Sequence, residues 1–222
     1  MPCIEICGAL VMPIRRNTNN EAMKLSKITS YQRQKITRNL LSAYETRTPK
    51  DTKEGREWYT KAHNICAGIG KELGYDLVAV AHVLSALSPR NKWERNITDA
   101  YSVLKAVNEG KGPESVKVCT FTTNKVKAFE IAKGNITIDK ASPKTFAFVN
   151  NIAHLDATKI TIDVWHLRAA FGGTIDSGLT PLRYRQIEDI TLRCAKKVGV
   201  KGYEFQAIVW GIVRNKKLNS IN

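Results

Sequence analysis

The stretch DLVAVAHVLSAL, residues 76–87, decides how this chain folds. Asp76 is a favoured helix cap, and the residues after it are apolar nearly all the way round. A helix without a polar face needs cover on every side, so this one belongs in the middle of a core built by other helices. SPRN (88–91) breaks it. KWERNITDAYSVLKAVNEG then resumes with Trp93, Ile97, Ala100, Tyr101, Leu104 and Val107 on one face. Upstream, EGREWYTKAHNICAGIGKELG (54–74) sets Trp58, Ala62, Ile65, Cys66, Ile69 and Leu73 at three-to-four spacing and stops at Gly74. Downstream, helical patterns run through TTNKVKAFEIAKG (122–134), SPKTFAFVNNIAH (142–154), TPLRYRQIEDITLRCAKKVGV (180–200) and GYEFQAIVWGIVRN (202–215). The Ser-Pro and Thr-Pro pairs read as a cap followed by the first helical position. Extended pieces near 116–121 and 159–162 are too short and few for a sheet. The chain is therefore predicted to be all-α, with about eight to ten helices. Residues 23–222 are expected to form one domain behind a flexible leader, 1–22.

Charge narrows the partners. Lys and Arg number 35 against 20 Asp and Glu, a net charge of +15, with a pI near 9.7. Each phosphate neutralised by such a surface releases condensed counterions, so a polyanion, nucleic acid above all, is the expected partner. The five cysteines, Cys3, Cys7, Cys66, Cys119 and Cys194, are scattered without a CxxC pair, and His63, His82 and His154 lack ligand spacing. Neither a metal nor a cofactor is expected. No apolar run reaches membrane-spanning length, and a cytoplasmic protein is expected.

ITIDVWHLRAAFGG (160–173) poses the chemical question. It sets Asp163 between a β-branched run and an amphipathic helical pattern, with His166 three positions on. A helix cap would explain the acid, and so would a catalytic carboxylate.

Three segments, in order, resemble the helix-hairpin-helix DNA glycosylases, the superfamily of endonuclease III and 8-oxoguanine glycosylase. LVAVAHVLSALSPRNKWERNITDAYSVL resembles that family's early core helix and the turn after it. NKVKAFEIAKG resembles the helix before the hairpin. SPKTFAFVNNIA with ITIDVWHLRAAFG resembles the hairpin's second helix and the acid-bearing turn. Lys144 and Asp163 stand 19 positions apart, the separation characteristic of the family's lysine and acid. The signatures LSPRN followed by Trp93, and TID, are also similar to small phage proteins.

The resemblance implies a two-lobed fold with a cleft near 85–95 and 140–170. It implies double-stranded DNA as the partner, a base flipped out of the stack, and cleavage of its N-glycosidic bond. Asp163 would stabilise the positive charge that develops on the sugar. Lys144 would attack C1′ and form a Schiff base, giving strand-lyase activity besides. Trp165, Phe146, Phe148 or Trp93 would stack on the base, and His166 would orient the site unless it is a satisfied core group. Leu87 or Asn91 would fill the gap left in the duplex. Ser88, Arg90, Lys140, Ser142, Thr145 and Arg168 would meet DNA. The stretch matching the family's glycine-rich hairpin, IDKASPK (138–144), has no glycine. Phosphate would then meet the open amides at the helix start instead. Two rivals remain: a base-modifying enzyme of the same fold that displaces diphosphate from activated hydroxymethyluracil, and a catalytically silent DNA-binding or inhibitor protein.

Overall fold

A computed structural model describes residues 27–173 and 179–219. The leader expected over 1–22, with Cys3 and Cys7, lies outside the described residues. The protein is all-α. Its helices are α1 (Ser30–Glu45), α2 (Pro49–Leu73), α3 (Leu77–Leu87), α4 (Trp93–Asn108), α5 (Thr122–Ala132), α6 (Pro143–Ala153), α7 (Val164–Phe171), α8 (Pro181–Lys197) and α9 (Gly202–Asn219), with a 3₁₀ turn at Pro113–Ser115. Among the described residues there is no strand, and no helix is long and apolar enough to cross a membrane.

Local chemistry sets most of the boundaries. The Asp76 carboxylate accepts from the Ala79 amide at 2.6 Å and starts α3. Gly74 closes α2 in the left-handed region (φ 78°), which a side chain at that position would strain. Thr180 caps α8 ahead of Pro181. Two expectations need correction. The 54–74 helix begins earlier, at Pro49, because Thr48 and Asp51 form a reciprocal capping box. Ser142 precedes α6 as expected, but its side chain caps nothing. α1 was not legible as a separate helix. It buries only Ile36, Leu40 and Tyr44, four residues apart, on an otherwise polar surface.

α3 is covered as its composition demands, by α2, α4, α5 and α6. Val80, Ala81, Val83, Leu84 and Leu87 lose all solvent contact there, beside Leu104, Phe129 and Ile152. A second apolar cluster joins α1, α7, α8 and α9 around Leu40, Ile160, Ile162, Ile187, Phe205 and Val209. α9 belongs to both: Tyr203 and Ala207 face the first cluster, Phe205 and Ile208 the second. Its crossing with α2 is close. A Cβ on Gly55 would lie 2.4 Å from Ile208 Cγ1 and 2.7 Å from Ile208 N. Gly55→Ala is therefore expected to cost roughly 1–3 kcal/mol in a denaturant titration, because the two helices must separate.

The 156–163 connector shows why a β-branched run here is not a strand. Its backbone groups are paired by side chains of α6 and α8: Asn151 Nδ2 donates to the Asp156 and Lys159 carbonyls, both at 2.9 Å. The Ile160 amide donates to Glu188 Oε1 at 3.1 Å, the Ile162 amide donates to the Tyr184 hydroxyl at 3.2 Å, and that hydroxyl donates to the Ile160 carbonyl. Buried backbone groups need partners, and these substitute for a ladder. The connector is thereby tied to α8, and Asp163 is placed at the head of α7.

Candidate active site

Asp163 is half-buried at the N-terminus of α7. One carboxylate oxygen accepts from the amides of His166 (2.8 Å) and Trp165 (3.0 Å). The other accepts from the indole Nε1–H of Trp210 on α9, at 2.8 Å. The acid is thus a helix cap and more than a cap. A cap needs one oxygen, and the second is turned to a tryptophan of another helix. Burial pushes the Asp163 carboxyl above its ordinary range. The His166 amide, the Lys144 ammonium, the Trp210 indole and the Trp165 amide pull it back, in that order.

Asp163 and Lys144 line one cavity of about 330 Å³. Its walls are aromatic. Trp58 sits 4.9 Å from Trp93, 6.0 Å from Phe148 and 6.1 Å from Trp210, centroid to centroid, and Trp165 lies in the lining too. Ser88 and Asn91 enter from the turn after α3; Thr161, Tyr59 and Gln206 add polar groups from the connector, α2 and α9. Lys92, Lys144 and Arg214 bring positive charge to the same lining, and all three are exposed. Arg214 also lies over the Trp210 ring at 5.0 Å.

Of the residues singled out in the sequence, Asp163, Lys144, Trp165, Phe148, Trp93, Ser88 and Asn91 meet at this cavity. Others do not. Leu87 is fully buried in the first cluster and cannot enter a duplex. Phe146 packs against that cluster, outside the lining. His166 is fully buried in α7, where its Nε2 contacts Thr191 Oγ1 at 2.9 Å. Thr191 donates its own proton to the Ile187 carbonyl, so His166 Nε2 carries the hydrogen and Nδ1 is left without a partner. His166 is a core group, not an orienting one. Arg90 holds a positive φ of 58° and lies over the Phe121 ring at 5.3 Å. Arg168 covers Trp165 at 4.4 Å. Lys140 is exposed in the turn before α6, and Thr145 donates to the Ser142 carbonyl at 3.1 Å. Lys144 is exposed, whereas a Schiff-base amine is expected in a dry setting.

Trp58, Tyr59, Lys92, Asn96 and Thr161 were missed as site residues in the sequence, and so were the polar and aromatic contributors of α9, Trp210, Gln206 and Arg214. That helix reads as plain core. Only the Trp and Gln embedded in its apolar run hinted at a polar edge. Trp210→Phe tests the indole bond. It is expected to cost about 1.5–3 kcal/mol, as a hydrogen bond to a charged group does. It should also raise the Asp163 titration further, because the indole favours the ionised form. Carboxyl NMR across a pH series reads both the direction and the residue.

Fold and site together define an all-α protein with two apolar clusters and an aromatic cavity, at the edge of the first, whose lining holds one carboxylate. The chain belongs to DUF7178, a family of unknown function whose model matches residues 22–217. No curated protein and no solved structure matches it.

Proposed function

We propose that this protein binds DNA, takes one nucleotide out of the stack and cleaves its N-glycosidic bond. The observation that carries the reading is the meeting of Asp163 and Lys144 at a cavity walled by four tryptophans and Phe148. A flat base stacks on such walls. Loss of the base leaves positive charge on the sugar, and a carboxylate held by three donors needs no reorganisation to stabilise it. Lys92, Lys144 and Arg214 are suited to the flanking phosphates. The N-terminus of α6 supports an anion as well: no side chain caps it, and Lys140 and Lys144 flank it. The exposure of Lys144 favours a scheme in which water, not the amine, attacks the sugar.

Incubation with genomic DNA from several sources, followed by mass analysis, tests the reading. Free base in the supernatant is the expected result, and an intact nucleotide pool would overturn it. An altered nucleotide without free base would point instead to base modification on the same fold. Borohydride trapping is expected to yield no covalent adduct through Lys144.

A further inference from the structure

We infer that Gln206 is a specificity-determining residue, and that the cavity prefers a base that presents a carbonyl to it over one that presents an amine. This rests on reading the cavity as a base pocket. Gln206 is only 4 % exposed, and its side chain lies in the cavity lining. Its Oε1 accepts from the hydroxyl of buried Tyr59 at 3.0 Å. That bond orients the amide and leaves Nε2 without a protein partner among the described residues. Nε2 is not one of the sealed, unpartnered atoms of the interior, so the cavity is where its hydrogens point. A buried amide donor facing a pocket selects a ligand acceptor.

The other amides of the lining, in the 91–96 segment, are spoken for. Asn96 is 2 % exposed and donates Nδ2 to the Leu84 carbonyl at 3.1 Å; Asn91 donates Nδ2 to Asp99 Oδ2 at 2.9 Å. Those donations fix both amides with the oxygen as the remaining end. Both Oδ1 atoms are sealed from solvent, out of a ligand's reach, so neither amide takes part in reading the base. Gln206 Nε2 is the open amide donor of the lining, and it matches a base that offers C=O at that edge. Hypoxanthine has that carbonyl. Adenine, of the same shape, has an amine in its place.

Two oligodeoxycytidine strands, one with a central deoxyinosine and one with a central deoxyadenosine, discriminate directly through quenching of tryptophan fluorescence. The wild-type protein is expected to bind the deoxyinosine strand about tenfold more tightly or better, as hydrogen-bonding sites do against a mismatched analogue. Deoxyinosine and deoxyadenosine monophosphates form a second arm, which separates a free nucleotide ligand from one in a strand. Gln206→Met should bring the preference to within about twofold, and Gln206→Glu, an acceptor only, should favour deoxyadenosine. Melting curves check that both variants fold. Equal wild-type affinities, or no binding of either strand, overturn the inference. Preference without base release removes the excision reading and leaves this one standing. Base release from genomic DNA with equal affinities does the reverse.

Discussion

On the excision reading proposed above, Asp163→Asn is expected to release base at least about a hundredfold more slowly than the wild type, with DNA binding retained. The substitution removes the charge and little else. Asparagine keeps an oxygen for the amides of Trp165 and His166, so α7 stays capped. The other end of the side chain changes sign. Its NH₂ faces the Trp210 indole N–H, two donors in contact where a donor and an acceptor stood. About 1–3 kcal/mol of stability should be lost there, and the melting temperature should fall accordingly. A variant that is folded, binds DNA and is silent separates electrostatics from structure. Full activity in that variant would remove Asp163 from the chemistry and leave it a cap.

The second large effect is on stability against acid. His166 is fully buried, and burial pushes its imidazole down to about 4 from an ordinary 6.5. The unfolded chain takes up this proton below pH 6.5, whereas the folded chain does so only near pH 4. Stability from the neutral imidazole is therefore complete above pH 6.5, declines as pH falls, and is gone below about 4. At about 1.4 kcal/mol per pH unit, the loss across that window is about 3 kcal/mol. Asp163 works the other way. Its carboxyl is raised, so protonating it as pH falls relieves a cost in the folded state. Comparison with His166→Gln isolates the histidine, because Asp163 titrates in both proteins. Glutamine can still donate to Thr191. Unfolding free energies of the two proteins should converge as pH falls from 7 to 4. Parallel curves would mean that the imidazole takes its proton without unfolding the surroundings.

The helices and many of their ends were legible because their causes are local. Asp76, Gly74 and Thr180 act within four residues of where they stand. The apolar run 77–87 announces its burial without reference to any partner. Asp163 was legible for the same reason, as an acid at a strand-like to helical transition. His166 had two readings, core group or orienting group, because the sequence places it beside the acid; the helix turns it into the interior, onto Thr191. Leu87 misled because the end of an apolar helix and an exposed wedge have the same composition.

The sequence by itself determined the all-α class, the central place of α3 and the carboxylate at the head of α7. These depend on propensity, capping and hydrophobic period, all short-range. Only the tertiary structure decided that Trp58, Trp93, Lys144, Phe148, Gln206 and Trp210 share one cavity with that carboxylate. They come from four helices far apart in the chain. Which of their faces meet depends on how closely α2 and α9 cross at Gly55 and on how α8 anchors the connector, and neither leaves a periodic trace.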